Sequence, residues 1–264
     1  MKGDKRLVAL AVTLTLALLF ASLTSCAPSG GGGEATQGPP PSEEEEATQQ
    51  PPPPEEEEET SITILAMSDP PSFNHWLTDT GFENLVAEMV LLGLTDIGPH
   101  GEIFPELAAE LPTVENGGVV INEEDWTMDV VWKLRDDVYW QDGEPVTADD
   151  VVFTWNALAD PETGIWVPGM DYTESVEKID DYTFVVHYNT IYPNYLEQFG
   201  GFYGTIWPEH YCTGEGIGSW NCNRQPLSDG PYILEEWETG DHLTFVRNPN
   251  YYEEGKPYID RIYV

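Results

Sequence analysis

The 264 residues carry 48 acidic side chains against 10 basic ones, a formal net charge of −38. Residues 61–264 alone hold 37 acidic and 7 basic groups, a field that repels phosphate backbones and anionic bilayer surfaces and so excludes nucleic acid as a partner. Acidity on this scale reads first as a solubility or salt adaptation, and more sharply as a field that steers cationic ligands.

In chain order, Lys2, Lys5 and Arg6 precede an apolar run from Leu7 to Phe20 broken only by threonines. That is the layout of an export signal over residues 1–25, although the run is nearly long enough for a plain membrane anchor. Its end, Leu23, Thr24, Ser25 and Cys26, resembles the lipobox of bacterial lipoproteins. The resemblance implies that Cys26 is the first mature residue and carries the lipid. Residues 26–60 hold four consecutive glycines, two proline clusters and two glutamate runs. Such a composition cannot bury enough apolar area to offset chain entropy, so it is expected to be a disordered tether reaching up to about 100 Å if polyproline-like. A partner-binding acidic tail is the alternative.

From Ser61 the composition turns globular. The segment SITILAM predicts a short strand ending at the Asp69, Pro70, Pro71 turn. A helix follows, with Asp79 or Thr80 as N-cap and Phe82, Leu85, Val86, Met89 and Val90 on one face. Met128, Val130, Trp132 and Leu134 alternate as in a half-buried strand, and Asp136 and Asp137 break it. A second helix starts at Thr147, with Asp150 three residues on as a carboxylate capping box and Val151, Trp155 and Leu158 at helical spacing. Further strands are predicted in DYTFVVHYN and in GPYILEEWETGDHLTFVRN, where Thr239, Gly240 and Asp241 make a hairpin turn. Strands and helices mix without a strict βαβ repeat, so the class is α/β or α+β with a mixed sheet.

Cys212 and Cys222 remain as an even pair in an exported chain, and a disulfide closing the loop Thr213 to Asn221 is the economical reading, worth about 2–3 kcal/mol. The histidines His75, His100, His187, His210 and His242 are scattered without a metal-ligand spacing, so neither a metal nor a cofactor is expected. A paired-carboxylate hydrolase could be hung on Asp142 and Glu144 or on Asp149 and Asp150, but sequence neighbours rarely face each other across a substrate. No enzyme is expected.

The stretch VVWKLRDDVYWQDGEPVTADDVVFTWNAL, with Leu134, Arg135, Trp140, Asp142, Gly143, Pro145, Val146, Thr147, Ala148, Asp150 and Val151, resembles the signature of the family 5 extracellular solute-binding proteins of ABC transporters. AMSDPPSFN, LADPETGIW and the segment from Ser228 to Val264 agree with the same family in the same order. Leu91, Leu92, Gly93 and Leu94 stand where the family usually reads Tyr-Glu-Gly-Leu, so one expected carboxylate is absent. The resemblance implies a periplasmic-binding-protein-like type II lobe with a mixed sheet, present as its N-terminal portion. Residues 61–92 and 186–264 would form the first lobe, and 93–185 an inserted subdomain.

The resemblance further implies a lipid-anchored, extracytoplasmic binding component that serves permease subunits and takes oligopeptides or dipeptides. A surface structural or adhesion lipoprotein retaining one lobe, or a carbohydrate-binding member of the family, is the alternative. Carried over by position, the ligand-contacting residues are Thr80, Gly81 and Phe82 before and at the start of the first helix, and Trp166 after the second. The alternative is that Phe82 and Trp166 pack in the core. A single lobe is expected to hold solute no tighter than about millimolar, and the strand in PYIDRIYV to lie at an exposed sheet edge.

Overall fold

The computed structural model describes residues 59–78, 81–201 and 204–264. The export signal, Cys26, the tether up to residue 58 and Thr80 lie outside these residues; the tether's expected end at residue 60 is corrected, because the Thr60 N–H donates to Asp260 Oδ2 at 2.8 Å and Glu59 pairs with Arg261. Two four-stranded sheets organise the described chain, together with a two-stranded ribbon of β2 (Thr95–Ile97) and β3 (Ile103–Pro105).

The first sheet runs β1 (Ser61–Thr63), β10 (Arg261–Tyr263), β9 (His242–Arg247), β8 (Tyr232–Glu238). β1 and β10 are parallel, with Ile62 beside Ile262, and the other pairs are antiparallel. The β8–β9 hairpin turns where Asp241 N–H donates to the Glu238 carbonyl at 3.0 Å, with Gly240 at φ 84°. The expectation of an exposed edge at PYIDRIYV is corrected. β10 is flanked by β1 and β9, because the chain returns to pair with its own first strand.

The second sheet, β4 (Val119–Asn122), β5 (Thr127–Lys133), β7 (Thr183–Tyr188) and β6 (Thr173–Asp180), is antiparallel throughout. Along β5 the side chains of Met128, Val130 and Trp132 are buried and those between them are not, which is the pleat read from the sequence. Trp132 stacks at 6.4 Å on Phe184 of β7.

Helix α2 (Ala148–Ala159) packs against β6. Its N-cap is Thr147, whose backbone N–H donates to Asp150 Oδ2 at 2.9 Å, the reciprocal contact of a capping box. Val151, Trp155 and Leu158 are buried as their spacing predicts. Trp140 and Trp132 are fully buried, so the signature stretch is scaffold rather than site.

Helix α1 (Phe82–Val90) corrects a second expectation. Its N-cap is neither Asp79 nor Thr80 but Gly81, at φ 79°, a left-handed conformation that costs glycine nothing and an L side chain about 1–2 kcal/mol. The predicted apolar stripe is shifted: Val86, Ala87 and Val90 are buried, together with the polar Glu83 and Asn84, whereas Phe82, Leu85 and Met89 are half-buried. The Thr78 hydroxyl donates to Glu83, so that carboxylate sits at the helix's positive end with a partner.

Two further carboxyls lie beyond α1, Asp229 buried and Glu106 half-buried. Asp229 is 1% exposed, and Oδ1 accepts the Leu92 N–H at 3.0 Å while Oδ2 has no partner. Burial holds it well above the usual carboxylate range. Glu106 accepts the Gly93 N–H at 3.1 Å through Oε2. It lines a cavity of about 50 Å³ that Glu88 and Asp96 also line. The pair thus places carboxyl groups on the backbone of the Leu91–Leu94 segment.

Candidate functional site

One asparagine assembles the site. Asn223 accepts the Phe73 N–H on its carbonyl at 2.7 Å and the Asn74 amide on Oδ1 at 3.0 Å, and its own amide donates to the Ile217 carbonyl at 2.8 Å. These bonds tie the segment entering α1 to the loop between Cys212 and Cys222. That loop is closed by a bond between the two sulfurs, with Cα atoms 5.3 Å apart. Inside it, Asn221 Oδ1 accepts the Thr213 N–H at 2.6 Å.

A ladder of aromatic rings joins α2 to the same unit. Phe153 of α2 stacks on Trp220 of the disulfide loop at 4.9 Å, Trp220 lies 5.9 Å from Trp207, and Trp207 lies 6.3 Å from Trp76 before α1. Ring pairs of this kind contribute about 0.5–1.5 kcal/mol each beyond their buried area. The Trp207 N–H also donates to Thr154 Oγ1 of α2 at 2.9 Å.

The three segments enclose an open groove of about 400 Å³. Leu77 forms one wall, Asp160, Glu162 and Thr163 after α2 form a second, and the loop from Glu215 to Ser219 forms the third. The α2 loop is held by its own bonds: Asp160 Oδ1 accepts the Glu162 N–H at 2.9 Å, and Thr163 Oγ1 accepts the Ile165 N–H at 3.2 Å. A volume of this size suits a small ligand or a few side chains of a larger one.

Of the residues expected to touch ligand, Gly81 is exposed and Phe82 half-buried, at the start of α1 four and five residues beyond Leu77. Trp166 is 63% exposed, three residues beyond Thr163, and is not a core residue. Its Nε1 donates to Asp171 Oδ2 at 3.0 Å, which fixes the indole with its surface open to solvent. The two expected loops therefore reach one groove through Leu77 and through Asp160, Glu162 and Thr163, but none of Gly81, Phe82 and Trp166 lines it, and the 215–219 wall comes from no motif. Asn223 was missed as well. Its only sequence signal is its place directly after Cys222.

Two of the carboxylates weighed for a hydrolase are held by scaffold contacts. Asp150 is spent on the α2 cap, and Asp142 Oδ1 accepts the Glu144 N–H within the turn at 3.2 Å while Oδ2 meets His210 Nε2 at 3.0 Å. Among the described residues no group of three or more His, Cys, Asp or Glu could hold a metal ion, and no helix is long and apolar enough to cross a membrane.

Residues 102–264 match the family model described as bacterial extracellular solute-binding proteins, family 5 Middle. The chain is 24% identical over 221 residues to the oligopeptide-binding protein OppA of Bacillus subtilis, covering 77% of this chain and 38% of the relative. It is 27% identical over 212 residues to the periplasmic oligopeptide-binding protein OppA of Haemophilus influenzae, covering 73% and 37%. The crystal structure of Haemophilus influenzae OppA in complex with RPPGFSPFR superposes with a TM-score of 0.62 at 25% identity, over 78% of this chain and 42% of that one. The chain thus spans less than two fifths of the length of the curated relatives it matches.

Proposed function

With residues 102–264 matched, the chain belongs to the bacterial extracellular solute-binding proteins of family 5, and on that premise we propose that it is the substrate-binding part of an ABC importer for oligopeptides or dipeptides. The observation that carries this reading is the open groove at which the loop before α1, the loop after α2 and the disulfide loop meet. Two relatives are named as oligopeptide-binding proteins, and one solved neighbour holds a nonapeptide. An open groove of this size, walled on three sides, suits side chains of an extended peptide.

Its partners on this reading are the peptide and the permease subunits of the transporter. Saturable quenching of tryptophan fluorescence by a mixture of tri- to pentapeptides is the expected result, with none from monosaccharides. Quenching by sugars alone would move the protein to the carbohydrate-binding alternative.

The same proposal places the chain outside the cytoplasm, held by lipid at Cys26 through the 26–60 tether. It rests on the Leu-Thr-Ser-Cys border and the basic residues before the apolar run. One acyl chain holds a protein only reversibly, and two or more hold it stably. Mass spectrometry of the membrane fraction should find a diacylglyceryl group on an N-terminal Cys26. A mature protein starting elsewhere, or an unmodified Cys26, overturns the anchor and leaves the binding role untouched.

A further inference from the structure

We propose that a cleft beside β8 is a second binding site, for a small zwitterion of the amino-acid or dipeptide class whose carboxylate pairs with Arg224 and whose ammonium pairs with Glu235 and Glu236. The cleft has a volume of about 380 Å³ and shares no lining residue with the groove described above. It is therefore independent of the function proposed for that groove.

In residues 59–264 every lysine and arginine except Arg224 lies within ion-pair distance of a carboxylate. Arg224 has no carboxylate partner among the described residues, although two glutamates line the same cleft. Its guanidinium is held instead 3.8 Å above the Trp237 ring, and one terminal nitrogen donates to Thr239 Oγ1 at 3.1 Å. Stacking fixes the plane of the group without using its N–H bonds, so donors in a fork that matches a carboxylate stay open.

Neutral polar groups stand around this cation. The Gln141 N–H donates to the Ser228 carbonyl at 2.7 Å, and Gln141 Oε1 accepts the Ser228 N–H at 3.0 Å. The side-chain oxygen is thus spent, and the NH₂ of the same pinned amide remains for a ligand. The hydroxyl of Tyr211 also lines the cleft and has no hydrogen-bond partner among the described residues.

The cleft carries the opposite charge as well. Glu235 pairs with Arg261 and Glu236 with His242 at 3.4 Å, each through Oε2, and Oε1 of both has no partner among the described residues. A purely anionic ligand is opposed by these carboxylates and by the 37 acidic against 7 basic groups of residues 61–264. A purely cationic one leaves Arg224 uncompensated. A molecule with both charges meets both needs, and Pro226 and Leu234 offer its side chain apolar contact.

Calorimetry on the purified protein tests this with leucine, Leu-Leu, leucinamide, which lacks the carboxylate, and N-acetyl-leucine, which lacks the ammonium. Leucine or Leu-Leu is expected to bind, and the tighter of the two gives the span of the site. Leucinamide should bind about tenfold more weakly than leucine, and N-acetyl-leucine about two- to fivefold more weakly. Arg224→Gln should weaken leucine about tenfold and leave leucinamide unchanged, because amide and variant remove the same pair. The double variant Glu235→Gln, Glu236→Gln should abolish the difference between leucine and N-acetyl-leucine. If Arg224→Gln loses leucine and leucinamide alike, Arg224→Lys decides: a preference for leucine over leucinamide in that variant supports the pair, and its absence overturns it. No binding of leucine or Leu-Leu, or binding that Arg224→Gln leaves unchanged, overturns the second site. Ala-Ala-Ala reports on the groove in the same titrations, and its binding stands or falls without regard to Arg224.

Discussion

Replacing Asp150 by alanine is expected to lower the unfolding free energy by about 3 kcal/mol, more than any single surface change in this chain. The side chain is 4% exposed and serves three donors from three places. Oδ2 accepts the Thr147 N–H at 2.9 Å and the indole N–H of Trp140 at 3.4 Å, and Oδ1 accepts the Glu209 N–H at 2.9 Å. Loss of the capping contact alone costs about 1 kcal/mol, and each further buried donor left without a partner costs about 1–3 kcal/mol. Trp140 is completely buried, so water does not replace the lost acceptor.

Asp150→Asn separates geometry from charge. The amide keeps one acceptor oxygen but turns an N–H group toward a backbone donor, so a loss of about half that of alanine is expected. Urea denaturation of both variants checks the pair. A loss below about 1 kcal/mol for alanine means that the turn at Trp140 and the segment at Glu209 do not depend on this carboxylate. The same residue explains why the signature stretch is rigid: one side chain fixes the start of α2 to the turn before it and to the segment that follows Trp207.

What was legible in the sequence was local. The alternation of β5 and the Thr147–Asp150 box lie within a few residues, and the structure follows both. The cap of α1 was misplaced because a left-handed glycine carries no side-chain signal, whereas the polar residues before it do. The position of β10 was misjudged because its parallel partner lies 200 residues earlier, Ser61 beside Arg261, and nothing near Arg261 announces that pairing. The groove was half legible. Its two loops were placed by family resemblance, but the wall at 215–219 depends on Asn223 reaching Asn74 across 149 residues. Buried carboxyls were illegible for a different reason. Glu106 sits in a stretch, PELAAE, whose composition reads as surface, and only the close approach of Gly93 and the cavity beside it take it out of water.

That burial makes stability fall as pH rises. In the unfolded chain the Glu106 carboxyl ionises near its ordinary value of 4.5, whereas in the fold it is pushed up to about 8. Burial is the first cause; the negative charges of Asp96, Glu253 and Glu88 add to it, and the Gly93 N–H bond opposes it. Between these two values the folded protein holds a proton that the unfolded chain has released. The stabilisation is therefore complete below about pH 4.5, declines as pH rises, and is gone above about pH 8. Asp229, also raised by burial, acts in the same direction. A tenfold difference in proton affinity between fold and unfolded chain corresponds to about 1.4 kcal/mol, but Glu106 is only partly enclosed and opens on a small cavity. Solvent screening then reduces its share to about 2 kcal/mol. Self-repulsion of the strongly acidic chain gives a slope of the same sign, so the wild type alone does not isolate the residue. Glu106→Gln does, since glutamine keeps an acceptor for the Gly93 N–H and never ionises. Urea midpoints at pH 4 should be equal for the two proteins, and at pH 8.5 the variant should be the more stable by about 2 kcal/mol. Parallel pH profiles would place the slope in the surface charge and make Glu106 an ordinary carboxylate.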